Sequence, residues 1–399
     1  MGAGLSTSPA LMSIGVGWVA GAALILQARN GFQFRFTLPV ALPVLLFGWY
    51  ALAGLWTQDS ERWLDHLRIQ LPLVLVAFAA VSGVLPDARH RIWPTAAFLA
   101  ALAAVSAATL VNYLLNQDAL DAAVLQSKPM PIVSLTSDLS HIYFGVMAAA
   151  ASALCLHWGV AEHGWRRWSL LGLSVGLAVC LHVFSIRTGL VALYGCWAIV
   201  GWRHLPLGRG GRLALVLALL VVGPALAYVG SSSFRNRLAN TGQDLEAWRS
   251  QGDLSHWSAA RRFVVWELAL ELGLSSPVGG IGPGDVHDAL YEGHAHKRYQ
   301  ISPEHRVVDP HNQYLSWWAG SGLVGLLLGL GIMLLGLSPK HRPRSPAFWA
   351  VWPALVLGFC FESMAERQVG ITLWVWSWAM WGNWDQTPPA PARPHIEPV

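Results

Sequence analysis

The chain has 399 residues, 54% hydrophobic and 12% charged, with a formal net charge of +4, where a soluble domain carries roughly 25% charged residues. That make-up, a mean hydropathy of +0.44 and 22 tryptophans exclude an ordinary soluble domain. The basic residues stand in short clusters between apolar runs instead of on one face, which speaks against nucleic acid as a partner and makes them topology signals.

Crossing a bilayer takes about 20 largely apolar residues. In chain order, such spans are expected near 11–27, 37–56, 69–86, 93–115, 141–161, 168–184, 188–202, 213–230, 313–337, 346–362 and 369–384. The predicted fold class is an all-α polytopic integral membrane protein of about 11 to 12 transmembrane helices with one large loop containing amphipathic helices. Its parts are an N-terminal transmembrane bundle of about eight helices (1–230), the large loop (231–312), C-terminal transmembrane helices (313–385) and a Pro-rich, disordered cytoplasmic tail (386–399). Near the start there is neither a charged n-region nor a small-residue cleavage site, so Leu11 to Gln27 is expected to be a retained span.

Short cytoplasmic loops collect Lys and Arg. Arg29 and Arg35, Arg89 and Arg91, Arg166 and Arg167, Arg203, Arg209 and Arg212, and then Lys340, Arg342 and Arg344 occupy every second loop, which assigns those loops to the cytoplasm. The alternate loops face outward: 116–140 holds Asp118, Asp121 and Asp138 against Lys128 alone, and 363–368 pairs Glu366 with Arg367. The same alternation puts 231–311 outside, where its eight Lys and Arg are tolerated because long loops cross largely regardless of charge. An outside N-terminus and an inside C-terminus follow. Cys155, Cys180, Cys196 and Cys360 fall within predicted spans without CxxC spacing, so neither a disulfide framework nor a zinc-thiolate site is expected.

Arg187 lies in Phe184-Ser185-Ile186-Arg187-Thr188-Gly189, between two apolar segments with almost no loop between them. An arginine near membrane depth needs a partner. It is either a fork of donors for a phosphate or a side chain snorkelling to lipid headgroups. In the large loop, Leu254 to Leu274 reads as an amphipathic helix along the membrane or capping the bundle. On it Arg262 shares a face with Trp266, while Arg261 points about 100° away. Gly279-Gly280-Ile281-Gly282-Pro283-Gly284 forces a turn; it lacks the Lys-Ser/Thr of a P-loop.

His311 follows Asp309-Pro310, and the expected arrangement makes Asp309 the N-cap and Pro310 the first residue of the next span. That would hold the imidazole at the membrane rim, where it serves either as a general base or as an interfacial hydrogen-bonding group. His287, His294, His296 and His305 with Asp285, Glu292 and Glu304 raise the question of a metal, but Glu292-Gly293-His294-Ala295-His296 is a weak spacing and no HExxH is present. Gly325 and Gly329 form a GxxxG spacing that allows close helix contact. Trp317, Trp318, Trp374 and Trp376 read mainly as interfacial anchors or packing.

Taken together, Ser185-Ile186-Arg187-Thr188-Gly189, Arg262 with Trp266, Pro277 through Gly284, and His311-Asn312-Gln313-Tyr314-Leu315 followed by Gly320-Ser321-Gly322-Leu323-Val324-Gly325 resemble the bacterial O-antigen ligase family. The resemblance covers roughly 140–385. It implies a glycosyltransferase of the bacterial inner membrane with a periplasmic site, joining an O-antigen glycan carried on undecaprenyl pyrophosphate to the lipid A-core with inversion, with membrane lipid around it and neither metal nor nucleotide cofactor. It further implies that Arg187 and Arg262 bind the donor pyrophosphate and that His311 activates or positions the acceptor hydroxyl, with Asp309, Asn312, Gly282 and Gly284 in support. The family has twelve spans with both termini in the cytoplasm, against the eleven read here; the difference is open between an absent first family helix and a misplaced start codon. O-antigen polymerases and protein O-oligosaccharyltransferases share the donor and stand as alternatives. A transporter would show an internal repeat and charges within several spans.

Overall fold

The computed structural model describes residues 1–29, 37–82, 84, 91–126, 128–135, 139–205, 208–250, 252–297, 299–335 and 345–382. Arg35, Arg89, Asp138, Lys340, Arg342, Arg344 and the tail 386–399 lie outside them. The described residues form an all-helical protein: α1 Gly2–Thr7, α2 Pro9–Arg29, α3 Leu38–Ala53, α4 Ser60–Val81, α5 Ile92–Leu115, α6 Gln117–Leu125, α7 His141–Ala161, α8 Gly164–Val183, α9 Arg187–His204 and α10 Arg209–Gly230. Then come α11 Ser232–Ser250, α12 Ser258–Ser275, α13 Val286–Gly293, α14 Gln313–Leu334, α15 Pro346–Phe361 and α16 Gln368–Trp381. Six helices, α2, α4, α5, α7, α10 and α14, are long and apolar enough to cross a membrane, and α3 and α15 are shorter apolar helices. The remaining expected spans fall on α8, α9 and α16.

Some elements escape a reading by hydropathy. The α4 helix starts at Ser60, nine residues before the expected span, because the Asp59 side chain caps it by accepting from the Arg62 N–H at 2.9 Å. Its first turns carry Glu61, Asp65 and Arg68, which mask the helix from an apolar window. The large loop holds α11, which has no apolar stripe to announce it, and the helix expected over 254–274 is α12.

The most enclosed candidate span is α7, whose run Ala148–Ala151 is buried. Small side chains let α8, α9 and α15 close around it. At its start α7 crosses α9 so tightly that a Cβ on Gly189 would lie 2.8 Å from the Gly145 Cα. The large loop has a smaller apolar core of its own, in which Val264, Val265 and Leu268 of α12 meet Val286 and Leu290 of α13 and Ala319 of α14. Trp317, Trp374 and Trp376 are fully buried packing residues. Trp318 is half-buried and lies against Gly273.

The α14 helix is kinked at Gly322, where φ is +64°. A kink frees carbonyls that must find new donors. Ala319 and Gly320 accept from the N–H groups of Ile281 and Gly282 at 2.9 and 3.1 Å, and Ser321 accepts from Trp49 Nε1 at 2.8 Å. In return Leu323 N–H donates to Pro277 O at 2.8 Å. The glycine-rich turn is therefore docked onto the kink by its backbone. Gly282, at φ +108°, faces Thr57, and a Cβ on Gly284 would come within 2.4 Å of the Asp59 carbonyl. The kink also overturns the expectation for Gly325 and Gly329: their nearest side chains are Ser321 and Trp317 of their own helix rather than a neighbouring helix.

Gly322→Ala should destabilise the protein by at least ~2 kcal/mol, since a non-glycine residue is strained at this φ and its Cβ would lie 2.1 Å from the Val278 carbonyl. Thermal unfolding in detergent measures it against Gly17→Ala, whose Cβ meets nothing within 4 Å and which should unfold at or slightly above the wild-type temperature.

Candidate active site

One end of the bundle carries the starts of α7, α9 and α14, the end of α15 and, folded over them, the large loop. Arg187 is the first residue of α9, after a tight turn in which Ser185 takes a φ of +55°. Its guanidinium donates to Thr241 Oγ1 at 2.8 Å and Ser258 Oγ at 3.4 Å, and lies 3.9 Å from Asp244 Oδ2. These partners belong to α11 and α12, so the loop holds the arginine. The Asp244 carboxylate is 1% exposed and also accepts from the Ala259 N–H in the first turn of α12. Burial pushes its carboxyl up, and Arg187 opposes that shift.

Arg262, on α12, places Nη2 3.9 Å from Glu362 Oε2. The same carboxylate oxygen lies 3.0 Å from His311 Nδ1. A carboxylate only accepts, so Nδ1 carries a proton, and in the neutral ring Nε2 keeps a lone pair. Arg262 is thereby linked to His311 through Glu362, and the Arg262 charge repels that of Arg187. His141, at the start of α7, interacts electrostatically with Arg187, Arg237, Arg262 and Glu362 together.

The capping expectation is corrected. Asp309 is not the N-cap and Pro310 is not the first helical residue: α14 begins at Gln313, and the Asn312 side chain caps it, accepting from the Tyr314 and Leu315 N–H groups at 3.0 and 3.1 Å. The reason is His311, whose φ of +46° turns the chain just before the helix. Asp309 holds that turn by accepting from the His311 N–H at 2.8 Å, a conformation strained for a non-glycine residue. Burial pushes the Asp309 carboxyl up, and neighbouring Glu362 adds to that shift against His311. Asn312 Nδ2 also donates to Cys360 O at 3.1 Å, and the Asn312 N–H donates to Ser363 Oγ at 3.2 Å. It therefore fastens the start of α14 to the end of α15.

Glu362, Arg237, Asp244 and His141 were missed from the sequence. Glu362 sits 51 residues beyond His311 in an apolar context, and a single charge at the end of a predicted span was its only signal. Arg237 donates to Lys128 O at 2.8 Å, and burial with repulsion from Arg187 brings its pKa down to about 10. Arg261, set aside for its direction, donates to His305 O at 2.8 Å and ties down the loop.

Asp309, His311 and Glu362 bring their ligand atoms within 4.8 Å of one another, the one such group among the described residues. They fit a divalent cation poorly, because Arg262 already sits beside the Glu362 oxygen that would have to ligate it. The histidines of the large loop are engaged locally: His294 with Val307 O at 2.8 Å, His305 with Ser302 Oγ at 2.8 Å and His287 with Asp288 at 2.9 Å.

These features define a helical membrane protein with a charged site at one mouth of its bundle, roofed by a folded loop. Residues 172–330 match the family model for O-antigen ligase. A search of curated proteins finds no match. The matched stretch takes in Arg187, Arg262, Gly282, Gly284 and His311 but stops before Glu362. An enzyme of the glycosyltransferase kind, acting on polysaccharide and lipid substrates, is what this family implies.

Proposed function

We propose that the protein is an O-antigen ligase of the bacterial inner membrane. It transfers a glycan from undecaprenyl pyrophosphate to the sugar core of lipid A at the periplasmic face. The observation that carries this reading is the continuous arrangement Arg262, Glu362, His311 beside Arg187, which joins cations for a leaving pyrophosphate to a base for an incoming hydroxyl.

The acceptor hydroxyl oxygen attacks the anomeric carbon as the bond to the pyrophosphate oxygen breaks, and a single displacement inverts that carbon. The bonding pair leaves with the pyrophosphate, whose growing charge Arg187 and Arg262 stabilise more than they stabilise the bound donor. The hydroxyl proton passes to His311 Nε2. Glu362, accepting from Nδ1–H, orients the ring and stabilises the imidazolium. Arg237 and His141 are the further groups near the leaving charge.

The test is complementation of a ligase-deleted strain that makes lipid-linked polymer. Wild type should restore long-chain lipopolysaccharide on a gel, and Arg187→Ala, Arg262→Ala and His311→Ala should not at equal membrane abundance. Polymer that stays on its carrier with wild type present would overturn the lipid A-core acceptor and direct the search to polymer or protein acceptors.

A further inference from the structure

Against Val308, Asp309 and Pro310 lies a cavity of about 130 Å³. Space for one water takes about 10–15 Å³ on this measure, so it holds roughly ten, the room of one sugar ring with its hydroxyls. Tyr50, His66, His287, Asp309, Ser316 and Glu366 are among the residues of its wall. The pair at its base repeats the chemistry of the neighbouring site: His66 Nδ1 lies 3.0 Å from Glu366 Oε2, as His311 Nδ1 does from Glu362. Glu366 is held further by Gln313 Nε2 and Ser316 Oγ, each donating to Oε1 at 3.0 Å. Burial pushes its carboxyl up, but His66, Gln313 and Ser316 outweigh that and hold it below the ordinary range.

His66 is 8% exposed, yet its Nε2 has no hydrogen-bond partner among the described residues. A buried polar atom left unpaired is costly and asks for a ligand. With Nδ1–H given to Glu366, Nε2 accepts when the ring is neutral and donates when it is charged, and a sugar hydroxyl serves either state. The wall thus presents Nε2, two carboxylates and a serine hydroxyl. Carboxylates repel a phosphate and accept from hydroxyls, so the cavity suits a neutral, hydroxyl-rich ligand. Asp309 stands in this wall while its side chain holds the His311 N–H. Neither His66 nor Glu366 falls within the matched residues 172–330.

We propose that this cavity is the acceptor subsite, seating one pyranose of the acceptor glycan so that a hydroxyl of that sugar is delivered to His311. This rests on the ligase reading above, and His66 and Glu366 act in it as binding and positioning residues. The test uses the purified full chain in nanodiscs, with lipid-linked glycan as donor and lipid A-core oligosaccharide as acceptor. Variants are His66→Ala, which removes the unpaired ring nitrogen, and His287→Trp, which obstructs the cavity from a half-exposed position and spares the buried network.

Each variant should raise the acceptor KM at least tenfold and leave the donor KM unchanged, and oligosaccharide titrated without donor should bind each at least tenfold more weakly than wild type. An unchanged acceptor KM in His287→Trp, or equal movement of donor and acceptor KM, overturns the subsite while the wild-type rate keeps the ligase reading standing. Oligosaccharide binding that His66→Ala abolishes, with no transfer by wild type, supports glycan binding in the cavity and overturns the ligase reading instead.

Discussion

His311→Ala is expected to lower the transfer rate by about 10²–10⁴-fold, the usual contribution of a positioned general base, with protein abundance unchanged. The diagnostic is the pH profile. A base must be unprotonated to accept, so the wild-type rate should fall on acidification, and the residual rate of the alanine variant should lose that limb. A variant that keeps the same acid limb would assign the ionisation elsewhere and leave His311 only orienting the acceptor. Glu362→Gln separates the two roles of the carboxylate. It keeps a group that can accept from Nδ1–H across the 3.0 Å contact but removes the charge that stabilises the imidazolium. We expect it to retain the fold and lose about 10²-fold in kcat.

The second large effect concerns the arginines. Arg187→Ala and Arg262→Ala should each cost about 10²–10³-fold in kcat, the scale of removing one preorganised group facing a developing negative charge. Lysine should restore Arg187 only in part, because its point charge cannot reproduce the fork that donates to Thr241 and Ser258 while facing a phosphate. The double variant should fall short of the product of the single losses, since residues acting as a unit are not additive. Strict additivity in single-turnover measurements would show that the two guanidiniums do not share one leaving group. Arg262→Ala carries an added consequence: it strips Glu362 of its cation.

The sequence by itself determined the membrane class, the position of most helices and the candidates Arg187, Arg262 and His311. The reason is that these properties are local: a run of apolar residues declares its own burial, and a lone arginine or histidine at the end of such a run declares that something must compensate it. The α11 helix was not legible, since a polar helix without an apolar stripe has the composition of a loop until its partners Val124 and Lys128 are known. The cap on α14 was misread for a related reason. Asp309-Pro310 has the right spacing, but the left-handed turn at His311 passes the cap to Asn312.

Only the tertiary structure decided what the charges do. Glu362 and Glu366 stand four residues apart on one short connection, and sequence offers no ground for giving them different histidines. The packing of α4, α14 and α15 hands one to His311 and the other to His66. The chain places these residues up to 300 positions apart. A charge network depends on distances of a few ångströms, and those distances are set by which helices pack together, a property no single segment carries.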